Sequence, residues 1–328
     1  MDVLGAISGE PVFITPTNDG RFFFGAKQEE FASNKVLYVS DGTQSGTIQL
    51  TTNTFLNDRD LTRFDIGYAG GLLYFTGQDQ ASGTYYPWVS DGTIDGTNLL
   101  MEIGDGFSNT ARNYTEINGN VVFGADQQLW VTDGTEAGTS KLRDLEPNSF
   151  FEFDGKLLFD GNDNRINSGT GAELYETDGT AAGTKLVRDI DPGSFWSSPI
   201  DMVLYRDEVY FSADTYDFGR EIWKTDGTRE GTLMVTDVNP SDRSNTGADF
   251  LTVVEDKLFF ATDDGIHGKE LWLFGELPAF SGQIEETKPI SCWRDTDGSL
   301  TMRVSNGCLL YTSPSPRDRT RSRMPSSA

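Results

Sequence analysis

The sequence predicts an all-β fold, a β-propeller of about six four-stranded blades with the first and last incomplete. Three observations lead there. The string Asp-Gly-Thr, two residues, Gly-Thr occurs five times, starting at Asp41, Asp91, Asp133, Asp178 and Asp226, in steps of 50, 42, 45 and 48 residues. A repeat of roughly 40 to 50 residues belongs to propeller blades or to helical-pair arrays. The flanking segments are short, apolar or alternating, and bounded by Gly, Asp and Asn, as half-buried strands are, and no window offers three capped helical turns. Finally, 22 Phe, 11 Tyr and 6 Trp among 328 residues are enough to fill layers between blades.

Each unit opens on an apolar strand: Arg21-Phe24, Leu72-Phe75, Val121-Phe123, Leu157-Phe159, Val209-Phe211 and Leu258-Phe260. Six such strands stand against five Asp-Gly-Thr loops, because the sixth unit reaches Glu270-Leu271-Trp272 and breaks pattern at Leu273-Phe274-Gly275. The loops read as structural turns. Each Asp (Asp41, Asp91, Asp133, Asp178, Asp226) accepts backbone N–H groups, and each following Gly (Gly42, Gly92, Gly134, Gly179, Gly227) takes a positive φ without steric cost. The two Thr, being β-branched, suit entry into the next strand. Repetition argues against catalysis, since an active site is needed once.

The propeller is expected over residues 1–280. Residues 281–307 lose the repeat and alternate around Trp293, Leu300, Met302 and Val304, which reads as the start of a truncated second β module. Residues 308–328 carry four Arg and three Pro without Gly and resemble a translated sequencing-library adapter, so they are expected to be an artefactual, disordered tail. Asp2-Pro11 resembles the end of a repeat, as in Asp189-Pro199. Either the chain begins inside an earlier blade, a piece of a longer protein whose export signal is lost, or this strand closes the ring on the last blade.

The strings Glu-Leu-Tyr-Glu-Thr-Asp-Gly-Thr-Ala-Ala-Gly-Thr from Glu173 and Glu-Ile-Trp-Lys-Thr-Asp-Gly-Thr-Arg-Glu-Gly-Thr from Glu221 resemble the bacterial ELWxxDGT repeat of large secreted or surface proteins. The resemblance covers about residues 1–275, with Val36, Tyr86 and Gln128 at the Glu position of the first three copies. It implies an extracellular or cell-surface propeller-like module; no defined activity comes with it.

A formal net charge of −25 repels nucleic acid and anionic lipid and attracts cations or basic partners, although acidity also serves plain solubility. No run approaches the ~20 apolar residues of a membrane helix, so no membrane insertion is expected. With the tail set aside Cys292 is the one cysteine, which leaves no intramolecular disulfide. A monomeric module of a larger chain is expected.

Acidic loops precede the Glu-Leu-Trp strands. Asp214, Asp217 and Glu221 in the fifth unit, and Asp263, Asp264 and Glu270 in the sixth, cluster with Gly and offer hard oxygen ligands for calcium. Asp295 and Asp297 form a further calcium candidate. Solvated turns have the same composition, and no EF-hand or nonapeptide pattern is present. His267 is the sole histidine, which excludes histidine triads and multi-His zinc sites. Nucleophile elbow, phosphate loop and dinucleotide fingerprint are all missing. The leading expectation is a non-enzymatic extracellular binding or adhesion module for a protein or glycan, calcium-assisted or not. Its alternatives are a structural spacer and a carboxylate-dependent polysaccharide hydrolase or lyase.

Overall fold

The computed structural model describes residues 11–27, 35–52, 54–56, 66–79, 83–104, 111–163, 171–193, 195–239 and 247–274, and the backbone of 281–288 and 299–305. Every regular element among them is a β-strand, and successive antiparallel sheets follow one another along the chain. The first blade is β1 (Val12–Pro16), β2 (Phe22–Lys27), β3 (Lys35–Ser40) and β4 (Ile48–Gln49), paired in that order. In the second, β5 (Thr54–Leu56) and β6 (Ile66–Ala69) share the edge of β7 (Leu72–Asp79), followed by β8 (Tyr85–Ser90) and β9 (Thr97–Leu99). The third contains β10 (Arg112–Ile117), β11 (Asn120–Ala125), β12 (Gln128–Thr132) and β13 (Ser140–Arg143). The fourth contains β14 (Glu146–Phe153), β15 (Lys156–Asn162), β16 (Ala172–Thr177) and β17 (Lys185–Arg188). In the fifth are β18 (Ile200–Tyr205), β19 (Glu208–Thr215), β20 (Gly219–Thr225) and β21 (Leu233–Met234). The sixth shows three strands among the described residues, β22 (Asp249–Val254), β23 (Lys257–Asp263) and β24 (Lys269–Phe274).

These are blades of a β-propeller, and the first has all four strands. A separate antiparallel pair, β25 (Ser281–Lys288) and β26 (Ser299–Ser305), falls in the stretch expected to begin a second module. The tail 308–328 and the N-terminal segment 1–10 lie outside the described residues, as do Asp295 and Asp297.

The second strand of each blade explains why the sequence shows continuous apolar runs there. Leu157 and Phe159 on β15 pack with Leu129, Val131 and Leu145 of the blade before, whereas Leu158 packs with Val209 and Phe211 of the blade after. Phe23 on β2 likewise packs with Leu73 and Phe75, and Tyr210 on β19 with Leu258 and Phe260. Both faces of these strands are covered, so alternation disappears. Phe75, Phe123, Phe159 and Phe211 are fully buried at equivalent positions. Burial of each such side chain contributes roughly 1.5 to 3 kcal/mol.

Candidate functional site

The five repeat loops form one hydrogen-bond circuit, clearest in the fourth blade. Asp178 Oδ1 accepts from the Thr180 N–H at 2.8 Å and from the Thr180 hydroxyl at 2.6 Å. That hydroxyl in turn accepts the Gly183 N–H at 3.0 Å. Thr184 Oγ1 donates its single proton to the Thr180 carbonyl at 2.7 Å, so the 2.7 Å contact with Thr177 Oγ1 requires Thr177 to be the donor. Thr177 Oγ1 also accepts the Gly179 N–H at 3.1 Å. Each hydroxyl therefore donates once and accepts once. Hydrogen bonds from the Thr side chain and backbone hold Asp41, Asp91, Asp133, Asp178 and Asp226 below the ordinary carboxylate pKa.

Both glycines are needed. The first has φ between +85° and +92° in all five loops. At the second, a Cβ on Gly183 would lie 2.1 Å from the Asp178 carboxylate, and Gly46, Gly96, Gly138 and Gly231 face the same obstruction. The Thr residues are hydroxyl relays, and the second of each loop also leads into the next strand: Thr97 opens β9, and Thr47, Thr139, Thr184 and Thr232 directly precede β4, β13, β17 and β21. The pattern also extends one residue upstream, to Ser40, Ser90, Thr132, Thr177 and Thr225, each of which accepts the first Gly N–H. Thr184→Val should lower the unfolding free energy by about 1 to 2 kcal/mol, because it strands the Thr177 hydroxyl and the Thr180 carbonyl in buried surroundings. Thr184→Ser keeps both bonds. Denaturant titration of the two variants against wild type provides the measurement.

The Glu of the repeat is a brace. Glu173 on β16 is fully buried and accepts the N–H of Ile190 at 2.7 Å and of Ser197 at 3.1 Å. Its Oε2 lies 2.6 Å from Ser197 Oγ, which also reaches the Ala172 carbonyl at 3.1 Å. Burial pushes the Glu173 pKa up to about 8, against the pull of its Ser197 and Ile190 hydrogen bonds. Glu221 on β20 repeats the arrangement, taking the Thr236 hydroxyl at 2.7 Å and the Val238 N–H at 3.3 Å. Each Glu ties the third strand of its blade to the segment leaving for the next.

This arrangement gives several of the calcium candidates hydrogen-bonding roles within their own loops. Glu221 is committed to Thr236 and Val238. Asp263 accepts the Gly265 N–H at 2.8 Å, and Asp264 Oδ1 accepts those of Ile266 and His267, both at 2.8 Å. With His267 Nδ1 2.8 Å from its other oxygen, Asp264 is held down at about 2, chiefly by the His267 hydrogen bonds. These are turn-forming carboxylates. Asp214, Asp217 and Glu221 belong to one hairpin and Asp263, Asp264 and Glu270 to another, and among the described residues no three Asp, Glu, His or Cys side chains gather around a common point.

Asp214 instead belongs to a pocket that the sequence did not reveal. The segment leaving β17 meets the tip of the β19–β20 hairpin, and between them lies a cavity of about 460 Å³ lined by Asp191, Phe195, Trp196, Asp214, Thr215 and Tyr216. Asp191 Oδ2 accepts the Tyr216 N–H at 3.0 Å, and the Asp214 N–H donates to the Ser197 carbonyl at 2.7 Å. The brace at Glu173 thus positions one wall. Gly171 permits the approach, because a Cβ there would lie 2.0 Å from the Phe195 carbonyl. Rings of Phe195 and Tyr216 pack at 5.5 Å. Burial pushes the pKa of both Asp191 and Asp214 up; the Tyr216 N–H opposes this at Asp191, and the Arg220 charge opposes it at Asp214.

The aromatic walls are turned outward. Phe195 is 52% exposed, Trp196 62%, Tyr216 67% and Phe218 43%. Among the described residues only Phe250 joins them as an exposed aromatic. The available sequence signal was position. These four rings lie in loops between strands, whereas the core aromatics lie within apolar strand runs.

Neither a protein-family model nor a curated protein matches the chain. Solved structures do. Puromycin hydrolase shares 12% identity with a TM-score of 0.45, over 79% of this chain and 43% of that one. Oligopeptidase B from Leishmania major shares 12% with a TM-score of 0.42, over 76% and 38%. The β-propeller domain of the Trilobed protease from Pyrococcus furiosus shares 12% with a TM-score of 0.40, over 80% and 81%. The chain spans less than half the length of the first two. At this identity the likeness concerns fold and carries nothing about chemistry. The expectation of a non-enzymatic extracellular adhesion module is withdrawn. The neighbours are hydrolases and proteases, and no described residue singles out adhesion.

Proposed function

We propose that this chain is a ligand-recognising propeller domain whose binding site is the pocket between the β17–β18 segment and the β19–β20 hairpin. One observation carries the reading: three of the five exposed aromatic side chains among the described residues, Phe195, Trp196 and Tyr216, line this one cavity, beside two partly desolvated carboxylates. A cavity of about 460 Å³ is of a size that small-molecule sites occupy, and apolar walls with a few fixed polar groups are their usual make-up. Exposed aromatic faces concentrated at one place mark a surface that is covered when in use. The scaffold supports the task, since the walls come from strand ends and a braced linker.

The test is ligand-observed saturation-transfer NMR with indole, phenethylamine, 2-phenylethanol and methyl β-glucoside. At least one of these is expected to give a signal with the wild type that vanishes in the Trp196→Ala/Tyr216→Ala double variant. Silence from all four, or a signal that survives both substitutions, overturns the proposal.

A further inference from the structure

The chemistry of the pocket lining also specifies its ligand. Six residues line it, and none is cationic: two carboxylates, one Thr hydroxyl and three aromatic rings. Among the described residues neither Asp191 nor Asp214 is in an ion pair. The nearest cation, Arg220, turns its Nη1 to the carbonyls of Ser198 at 3.2 Å and Ser212 at 3.4 Å. The lining offers three donors, the Thr215 and Tyr216 hydroxyls and the Trp196 indole N–H, beside two carboxylates that only accept when ionised, so its imbalance is one of charge.

That imbalance separates the ligand classes. A sugar hydroxyl can pair with these groups but is neutral, and leaves the two negative charges uncompensated. An anion would meet two carboxylates and the negative faces of the rings. A protonated amine brings three donors, no acceptor and a positive charge. Aromatic faces within about 6 Å of a cation attract it through their quadrupole. The chain's net charge of −25 enriches cations around the whole surface.

Resting on the pocket reading above, we infer that the ligand is a protonated organic amine, its ammonium group held by Asp191 and Asp214 and its apolar body laid against Trp196 and Tyr216. The rings admit a hydrophobic group of aromatic size, and the acids select for charge.

Isothermal titration with phenethylamine and its neutral counterpart 2-phenylethanol separates the two layers of this inference. Phenethylamine is expected to bind at least about tenfold more tightly, the factor that roughly 1.4 kcal/mol of charge-assisted bonding supplies. Asp214→Asn should abolish that preference while leaving 2-phenylethanol binding in place. Asp191→Asn, which retains an oxygen acceptor for the Tyr216 N–H, should do the same, and unchanged thermal unfolding shows that each variant is folded. Equal binding of both compounds by the wild type, lost in Trp196→Ala/Tyr216→Ala, keeps the pocket and overturns the cation. A preference for the amine that survives both Asn substitutions assigns it to the general field of the chain and equally overturns the inference. No binding of either compound removes the pocket reading along with it.

Discussion

Glu173→Ala is expected to be among the most destabilising single changes in this chain, lowering the unfolding free energy by about 3 to 5 kcal/mol. Glu173 is fully buried and holds two N–H groups and one hydroxyl belonging to the segment that leaves for the next blade. Truncation leaves the Ile190 N–H without its partner and Ser197 with only the Ala172 carbonyl for both its N–H and its hydroxyl, in a place water does not reach. The effect also has a direction in pH. Burial raises the Glu173 pKa from 4.5 to about 8 and that of Asp160 from 3.8 to about 7, so between these limits the folded chain binds protons that the unfolded chain has released. Stability attributable to the two groups is therefore complete below about pH 4 and declines as pH rises toward 8. Glu173→Gln cannot ionise and should flatten its share of that decline. It starts lower at pH 5, because the amide nitrogen that replaces one carboxyl oxygen cannot accept the N–H and hydroxyl protons that oxygen receives. Urea titrations at pH 5, 7 and 9 measure all three forms; a parallel pH profile for wild type and Gln would contradict the argument.

Gly171→Ala should be nearly as severe and should abolish ligand capture with it. Two penalties coincide there. The residue has φ of +79°, which costs a side-chain-bearing residue about 1 to 2 kcal/mol, and the added methyl would lie 2.0 Å from the Phe195 carbonyl. Backbone is the obstruction, so no side-chain rotation relieves it. The linker has to move, and it carries Phe195 and Trp196. A loss of roughly 3 kcal/mol or more is expected. Gly155→Ala supplies the control, with φ of +70° but nothing within 4 Å, and should show the conformational cost alone. Chemical denaturation of both, with phenethylamine titration of whichever remains folded, distinguishes packing from conformation. A Gly171→Ala protein as stable as Gly155→Ala would show that the approach of the linker is not constrained.

The blades were legible in the sequence because the signal repeats and is local. Period, strand content and the positive φ of Gly179 and its counterparts all follow from turn chemistry that one copy states and five confirm. The second glycine was legible as a letter without its reason, which lies in the carboxylate of Asp178 folded back over Gly183. Glu221 was misread for a different cause. A buried carboxylate that braces a linker and one that binds a metal look alike in sequence; only the position of Thr236 and Val238 separates them. The pocket was hidden because its walls come from separate stretches of chain, Asp191, Phe195 and Trp196 from the linker after β17 and Asp214, Thr215 and Tyr216 from the tip of the β19–β20 hairpin. Loop aromatics such as Trp196 and Tyr216 differ from core aromatics such as Phe159 in context alone.

Leu157 and Phe159 look backward along the array while Leu158, between them, looks forward, and the same division recurs from blade to blade. Beyond the first blade, where Phe24, Ala26, Val36 and Tyr38 cluster among themselves, no sheet owns a core. What is inherited as a piece is the seam between neighbours, so an array of this kind can gain or lose a whole repeat without inventing a new interior: every added unit arrives with one side already fitted to its predecessor and the other to its successor.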